Sequence, residues 1–289
     1  MTMFSGTKRF AIVGLAVSAA LAAAPRIAAA PAGAATSNGA RYYLSLGDSL
    51  AQGYQPIGGP WSPLGSVGYN QGYADQLLKL VRDRYEHLRL VKLACGGETT
   101  TTMIVGSPWC GSGFAAGSQL AEAEAFLQAH RGEVAFVTLD IGGNDLTSPD
   151  GGGPAATQIN LPRILAQLRD AAGPDVPIVG MNYYHPFLPD VWFGTHNVAA
   201  LAGAVGAITA FNDLLASLYA AAGDPVADVE SVFSTTDVGD ADGDGVPEDV
   251  ERVCAWTWRC ASPPHGPDIH PDTAGYGVIA QAFEEVLGS

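Results

Sequence analysis

Positive charge is scarce in this sequence. Its 289 residues include 14 Lys and Arg against 29 Asp and Glu, which gives a formal net charge of −15. A protein that binds nucleic acid by charge needs clustered basic residues, so the composition excludes that class. Only 15% of the residues are charged and 47% are hydrophobic, which excludes an intrinsically disordered chain. The sequence therefore predicts a globular protein with a large core.

The sequence also lacks a long polar linker and an internal repeat. Its N-terminal part is different in kind: Lys8 and Arg9 precede an apolar run over residues 10–24, and an Ala-rich stretch ends at residue 35. This is the pattern of a secretory signal peptide. A transmembrane anchor is the alternative, but Pro25 and Arg26 end the run short of the roughly 20 apolar residues that span a bilayer. We predict a signal peptide over residues 1–35, secretion, and a single domain over residues 36–289.

Cysteine is scarce as well, with four residues in the chain. An even number of cysteines in a chain bound for an oxidising compartment predicts two disulfides. Of the three possible pairings we favour Cys95 with Cys110 and Cys254 with Cys260, because each pair is close in sequence and closes a local loop. A zinc site is the weaker alternative, since neither pair has the short spacing of zinc ligands.

Short β-rich runs alternate with stretches of helical period in the rest of the chain. The pattern predicts strands over residues 42–46, 88–93, 134–141, 176–181 and 226–229. Apolar residues repeat at helical spacing within residues 74–85, 161–168 and 276–287. Such alternation predicts an α/β fold with right-handed crossovers, in which helices cover both faces of a parallel five-stranded sheet.

Four polar motifs lie at the ends of these predicted elements. GDSL (47–50), CGGET (95–99) and GGND (142–145) follow the first three strands, and DIHP (268–271) precedes the last helix. Each motif alone is common as a turn. In sheets of this kind ligands bind beyond the carboxyl ends of the strands, so four motifs at that edge predict a catalytic site.

The motifs contain the groups that nucleophilic catalysis requires. Ser49 is the candidate nucleophile, and it needs a base and oxyanion donors. Of the six histidines, we favour His270 as the base because Pro271 and the helix after it fix the direction of the imidazole. The candidate oxyanion donors are the N–H of Ser49, the main chain at Gly97 and the side-chain amide of Asn144.

The four motifs, in this order, resemble the four conserved blocks of the SGNH (GDSL) hydrolases over nearly all of the mature chain. The segments VTLDIGGND, VGMNYYHPFLP and CAWTWRC are similar to secreted actinobacterial lipases and esterases of that family. The resemblance implies a flavodoxin-like three-layer α/β/α sandwich. It also implies Ser49 as nucleophile, His270 as general base, an oxyanion hole from Ser49, Gly97 and Asn144, and no cofactor for catalysis.

The acid of the triad departs from the family pattern. In much of the family an aspartate precedes the histidine by three positions, but Pro267 stands there and Asp268 is two positions away. Asp268 is the candidate acid. The alternative is a backbone carbonyl that orients His270, which would leave a dyad of Ser49 and His270.

Residues 240–251 match the twelve-residue calcium-loop pattern, with Gly245 at the sharp turn. Between Asp228 and Glu251 there are nine acids and no base, a density that repels itself unless a cation is bound or the loop is mobile. With no helix before it, we expect a lone structural calcium loop; a solvated acidic loop is the alternative. The predicted ligands are Asp240, Asp242, Asp244, Glu248, Glu251 and the backbone carbonyl of Val246.

These features together predict a secreted serine ester hydrolase that acts on acyl esters or lipids, as a lipase, esterase or phospholipase. Aromatic side chains over residues 183–193 point to an apolar acyl chain. One alternative is a carbohydrate O-deacetylase, and another is a catalytically silent, calcium-stabilised extracellular binding module. We expect a monomer with no nucleic-acid partner and no stable membrane anchor, since no later segment is predicted to be long and apolar enough to span a membrane.

Overall fold

The computed structural model describes residues 39–56, 70–85, 87–108, 110, 113–148 and 151–288. The predicted signal peptide over residues 1–35 lies outside the described residues. The extent of the single domain, 36–289, therefore stays a prediction.

One parallel sheet forms the centre of the described structure. Its strand order is β2-β1-β3-β4-β5, which is the flavodoxin-like order, and all five predicted strands are present. The last strand is shorter than predicted because the Asp228 side chain accepts a hydrogen bond from the N–H of Ser231 and starts a helix. The strand bounds are Tyr42–Gly47 (β1), Arg89–Lys92 (β2), Val134–Asp140 (β3), Ile178–Met181 (β4) and Val226–Ala227 (β5).

Helices cover both faces of this sheet. α2 packs against α11 on one side, and α3, α4, α6 and α8 pack in series on the other, as right-handed crossovers require for this strand order. This confirms the predicted three-layer α/β/α sandwich. The helices are Ser49–Gln52 (α1), Tyr73–Leu80 (α2), Thr100–Val105 (α3), Gln119–Ala129 (α4), Gly143–Thr147 (α5), Gly153–Ala172 (α6), Leu188–Thr195 (α7), Val198–Ala222 (α8), Val229–Val232 (α9), Glu248–Trp256 (α10) and Thr273–Gly288 (α11).

Helix α8 corrects one expectation. Its 25 residues have a mean hydropathy of 1.6 over the most apolar window, so by length and composition it could cross a membrane. The prediction that no later segment reaches that length and hydropathy was wrong, because the many Ala residues, each only weakly apolar, add up over so long a helix. In the structure one face of α8 packs into the core through Leu201, Val205, Ile208, Phe211, Leu215 and Tyr219.

A second, smaller apolar cluster lies beside the main core. It joins α7, α8 and α10 through five buried side chains. Val238 and Val246, which lie before and within the predicted calcium loop (residues 240–251), are partly buried and pack against it. The segment that holds the predicted calcium loop is therefore attached to the domain by α10. The buried members are Leu188, Trp192, Leu201, Val205 and Val250.

Both predicted disulfides are present. Cys95 is bonded to Cys110 with their Cα atoms 6.1 Å apart, and Cys254 to Cys260 with Cα atoms 5.0 Å apart. The first closes the loop after β2, and the second ties α10 to the 3₁₀ turn at Trp258–Cys260. Glu98 lies beside Cys95 and Cys110, but the two sulfurs are bonded to each other, whereas a zinc ligand is a free thiolate.

Candidate active site

The turn between β1 and α1 fixes the direction of Ser49. Gly47 has a φ of +135°, and a Cβ there would lie 2.1 Å from the backbone oxygen of Asp140, so only glycine fits. Asp48 caps α1, its carboxylate accepting a hydrogen bond from the N–H of Leu50 at 2.9 Å. Ser49 is consequently the first residue of α1, at the carboxyl end of a central strand.

The loop that carries His270 is held by backbone hydrogen bonds to the segment after α10. The N–H of Trp258 donates to the carbonyl of His270 at 3.0 Å, and the N–H of Asp268 donates to the carbonyl of Trp258 at 3.0 Å. The Tyr184 hydroxyl donates to the carbonyl of Ile269 at 2.7 Å. These hydrogen bonds fix the backbone of residues 268–270 and so determine where the imidazole starts from.

Ser49, His270 and Asp268 form one continuous chain of hydrogen bonds. The Ser49 Oγ lies 2.7 Å from Nε2 of His270, and Nδ1 of His270 lies 2.7 Å from Oδ1 of Asp268. The same Oδ1 accepts the backbone N–H of His270 at 2.9 Å. A carboxylate accepts only, so Nδ1 carries the proton and Nε2 is free to accept the proton of the serine hydroxyl.

Asp268 remains ionised although it is largely buried. Burial alone raises the pKa of the Asp268 carboxyl, but its hydrogen bond and charge interaction with His270 outweigh burial and leave the pKa below its usual range. The spacing of two residues between acid and histidine thus gives direct contact, because the carboxylate turns back onto the histidine that follows it.

Of the three predicted oxyanion donors, Ser49 and Asn144 line the same pocket. Within the described part of the chain, no acceptor contacts the N–H of Ser49 or of Gly97. A Cβ at Gly96 would lie 3.9 Å from the Cβ of Ser49, which brings the second motif next to the serine. The Asn144 Nδ2 donates to Oδ2 of Asp48 at 3.1 Å and to the carbonyl of Glu98 at 3.0 Å.

Four buried carboxyl groups surround these donors, and sequence reasoning gave none of them a role. Asp48, Glu98, Asp140 and Asp145 are at most 3% exposed. Burial raises the pKa of each of them. The sequence signal was an acid at the end of a buried strand, as in Asp140 of VTLDIGGND.

Two of these acids have specific neighbours. The side chain of Glu98 accepts from Gln119 Nε2 at 3.1 Å, and that same glutamine pairs with both backbone groups of Gly47. Asp145 accepts from the backbone N–H of Thr100 at 2.8 Å and from its hydroxyl. The motifs after β1, β2 and β3 are therefore joined by hydrogen bonds.

An open pocket leads to Ser49. Apart from Asp48, Ser49, Asn144, Thr147 and His270, its lining is apolar or aromatic. Of the aromatic side chains that the sequence singled out, Tyr183 and Tyr184 line the pocket, whereas Trp192 belongs to the second apolar cluster and Phe193 is 51% exposed. The apolar side consists of Leu50, Leu146, Tyr183, Tyr184, Pro186, Ile208 and Ile269.

The predicted calcium loop lies on the surface. One carboxylate oxygen from each of Asp240, Asp242 and Asp244 lies within 4.8 Å of the others. Gly245 has a φ of +92°, and its N–H donates to Asp240 at 2.9 Å. Loss of hydration and the charges of Asp242 and Asp244 raise the pKa of Glu251. The Glu251 carboxyl therefore lies near these aspartates.

The sequence profile of the GDSL-like lipase/acylhydrolase family matches residues 45–278. The chain belongs to this family. That range contains the Ser49 turn, Gly97, Asn144 and the His270 loop, and membership makes the protein an ester hydrolase. A search of the curated proteins found no match to the chain.

Solved structures with the GDSL-type fold are similar to this chain at low sequence identity. An α/β hydrolase from the Lake Arreo metagenome is 17% identical with a TM-score of 0.54, covering 88% of this chain and 98% of its own. An acetylxylan esterase from Geobacillus stearothermophilus is 15% identical with a TM-score of 0.54, covering 88% and 97%. A GDSL-like lipase from Parabacteroides merdae is 14% identical with a TM-score of 0.53, covering 88% and 99%. These likenesses establish the fold.

Proposed function

We propose that this GDSL-family hydrolase is a secreted lipase or esterase that cleaves acyl esters through an acyl-enzyme on Ser49. The observation that carries the proposal is the unbroken chain of hydrogen bonds from Ser49 through His270 to Asp268. It combines a nucleophile, a base and an orienting acid, each within the distance at which protons transfer.

In the proposed reaction, the Ser49 Oγ attacks the ester carbonyl and its proton passes to Nε2 of His270. Asp268 stabilises the imidazolium that forms. The N–H groups of Ser49 and Gly97 and the amide of Asn144 stabilise the oxyanion. His270 then protonates the leaving alkoxide, the alcohol departs, and water attacks the acyl-enzyme with His270 as base, which releases the acid and regenerates Ser49.

The pocket supports an apolar acyl group. Leu146, Pro186 and Ile208 line it, so an acyl chain there would contact hydrocarbon, which is favourable in proportion to the area removed from water. A carbohydrate deacetylase would place only a methyl group in this space. A series of nitrophenyl esters from acetyl to dodecanoyl separates the two: we expect kcat/KM to rise beyond acetyl, and a maximum at acetyl would favour the deacetylase.

Substitution of the nucleophile tests the proposal directly. Ser49→Ala should abolish ester hydrolysis and labelling by a fluorophosphonate probe, because no other group in the site can form the acyl-enzyme. Asn144→Ala should slow kcat about a hundredfold to a thousandfold, the usual effect of losing one oxyanion donor. The control is Ser217→Ala, a change on α8, which should keep full activity.

Two outcomes would contradict the assignment. Hydrolysis near the wild-type rate by Ser49→Ala would exclude Ser49 as nucleophile. A wild-type protein that neither turns over any ester nor reacts with the fluorophosphonate would favour a catalytically silent binding module.

Secretion is part of the proposal and is supported by two features. The first 35 residues have the composition of a signal peptide, and two disulfides suit an oxidising compartment. Expression of the full chain in a secreting host, followed by N-terminal sequencing of the protein in the medium, should give a start at residue 36. Retention of the unprocessed chain in the cell would contradict it.

We also propose that residues 240–251 hold a structural calcium ion. The convergence of the Asp240, Asp242 and Asp244 carboxylates and the left-handed turn at Gly245 fit the donor set and the sharp bend that such a loop needs. Glu248 and Glu251, both in the first turn of α10, and the carbonyl of Val246 would complete the ligands. The ion would stabilise this segment and take no part in the reaction at Ser49.

A further inference from the structure

The imidazole of His270 contacts an aromatic ring that the proposed reaction does not use. The ring centroid of Tyr54 lies 4.5 Å from that of His270, and the two planes are tilted by 56°. Aromatic rings in contact have centroids about 4.5–7 Å apart, so this pair is at the close end of the range. His270 lines the pocket at Ser49, whereas Tyr54 is not among the described residues that line it. Any effect of this ring on the reaction therefore passes through the histidine.

The turn at the end of α1 brings Tyr54 to this position. Gly53 ends the helix with a φ of +79°, a left-handed conformation that favours glycine. The N–H of Tyr54 then donates to the carbonyl of Ser49 at 3.0 Å. The same short helix therefore presents the nucleophile at its first residue and, just after its last residue, a ring beside the base.

Two hydrogen bonds tie the segment after α1 to the part of the chain that carries His270. The Tyr276 hydroxyl, on α11, donates to the carbonyl of Tyr54 at 2.7 Å. Nδ1 of His265, in the loop before His270, donates to the carbonyl of Pro56 at 3.2 Å. The backbone that bears the ring is thus fixed to residues on both sides of His270 in the sequence, and the contact between ring and imidazole does not depend on the two side chains alone.

The charge of His270 changes during the proposed reaction, and a ring in contact with it responds to that change. When the imidazole takes the proton of Ser49 it becomes a cation. An aromatic ring attracts a cation placed over it within about 6 Å of its centroid, most strongly where water is excluded, and the His270 side chain is 16% exposed. Neutral imidazole gains less from the ring. The contact is therefore stronger in the transition state than in the ground state, which is the condition for raising kcat.

We propose that Tyr54 is a positioning residue for His270, whose ring holds the imidazole in place and stabilises the imidazolium that forms when Ser49 attacks. The inference rests on the proposed function, because it requires His270 to take up a proton. The imidazole then has two supports of different kinds: a hydrogen bond to the Asp268 carboxylate and a ring contact with Tyr54.

Substitutions of Tyr54 separate the ring from the space that it fills. Tyr54→Phe keeps the ring, so kcat should stay within about twofold of wild type. Tyr54→Leu keeps an apolar side chain without a ring, and kcat should fall about tenfold, as expected for a cation–ring contact away from water. KM should change by less than about twofold in both variants, since Tyr54 does not line the pocket and only a transition-state contact is lost.

Fluorinated phenylalanines in place of Tyr54 test the attraction itself. Fluorine weakens the negative potential of the ring face with little change in the size of the ring. We therefore expect kcat to fall in steps from Tyr54→Phe through the variants with mono-, di- and trifluorophenylalanine, because the attraction is electrostatic. A ring that only fills space predicts the same kcat throughout the series.

The matched control is Tyr42→Leu. Tyr42 and His130 form a pair of nearly the same geometry, with centroids 4.4 Å apart and planes tilted by 51°. Tyr42 is the first residue of β1, at the opposite end of the strand from Ser49, so this variant should keep the kcat of wild type. If Tyr54→Leu is unfolded by circular dichroism, Tyr54→Met carries the same expectation, because the flexible methionine side chain fills irregular spaces.

The outcomes separate this inference from the proposed function. If Ser49→Ala stays active, both fail. If Ser49→Ala is inactive but a folded Tyr54→Leu has the kcat of wild type, or Tyr54→Phe is as slow as Tyr54→Leu, only the role of the Tyr54 ring is excluded. A change confined to KM would mean that Tyr54 acts on the substrate, and an equal kcat across the fluorinated series would show that the ring does not stabilise the imidazolium. Either result overturns the inference.

Discussion

The molecule contains two groups of carboxyl side chains in opposite surroundings. The first, which we term the buried acid group, consists of Asp48, Glu98, Asp140 and Asp145 at the carboxyl ends of the strands. The second, the exposed acid group, consists of Asp240, Asp242 and Asp244 with Glu248 and Glu251 at the surface. Both lie in segments with few basic residues, but only the first group is removed from water.

In the buried acid group, loss of water raises the pKa of every member. In the exposed acid group the carboxylates of Asp240, Asp242 and Asp244 keep access to water and accept hydrogen bonds from the backbone of their own loop. The proposed calcium ion would occupy this second group. The two groups therefore differ in burial: the first has lost its contact with water, and the second keeps the open carboxylate oxygens that a cation site requires.

The largest expected effect concerns Asp268, a largely buried carboxyl that stays charged because it is paired with His270. Asp268→Asn should lower kcat about ten-thousandfold, the effect of the corresponding change in serine proteases, since the amide favours the wrong tautomer of the histidine. Steady-state kinetics on a nitrophenyl ester measures this.

The control for that experiment is Asp272→Asn. Asp272 accepts the N–H of Gly275 at 2.8 Å at the start of α11, and asparagine caps a helix as well as aspartate does, so this variant should keep its activity. Turnover of Asp268→Asn above a tenth of wild type would instead support a dyad of Ser49 and His270, with a backbone carbonyl as the orienting group.

Removal of calcium tests the exposed acid group. A bound ion at about a hundredfold excess over its Kd stabilises the folded state by about 2.7 kcal/mol, so a chelator should lower the Tm by about 5–10 °C. In Asp244→Asn the chelator should have little effect, whereas Asp213→Asn, an exposed acid of α8, should respond like wild type. The same Tm with and without chelator, together with no metal in the purified protein, would exclude the ion.

The smallest expected effect concerns Asp249, a buried carboxyl beside the exposed acid group. Burial raises the pKa of Asp249 to about 6, so the folded chain binds this proton more tightly than the unfolded chain. Its contribution to stability is complete below pH about 4 and is lost as the pH rises through about 6. Compared with Asp249→Asn, wild type should therefore lose about 4–8 °C of Tm between pH 4.5 and 7.5.

The control for Asp249 is the exposed Asp175→Asn, whose Tm should follow that of wild type across the same pH range. Parallel curves for wild type and Asp249→Asn would show that the carboxyl ionises as easily in the folded chain as in the unfolded one.

The fold could be predicted because the sequence patterns that indicate strands and helices are local. β-branched runs such as residues 134–140 and the helical spacing of Leu161, Ile164 and Leu165 depend on neighbours in the chain, and the crossover rule then sets the sheet. Helix α8 was not predicted, because its many Ala and Gly residues give only a weak difference in hydrophobicity between its two faces.

For the site, sequence predicted Ser49, Gly97, Asn144 and His270 because they lie in short motifs. It could not decide between Asp268 and a backbone carbonyl, because that choice depends on how the loop folds back against Trp258. The contact between Asp140 and Tyr73 was not predicted, since it joins residues 67 positions apart in the sequence. Local patterns thus identify the reacting groups, and tertiary packing identifies the groups that hold them.

The hydrogen bond between Ser49 and His270 joins residues 221 positions apart. The serine follows the first strand and the histidine lies in the loop before the last helix, so the two groups meet only when α11 has packed beside α2. A chain in which α11 has not packed beside α2 therefore carries Ser49 without its base.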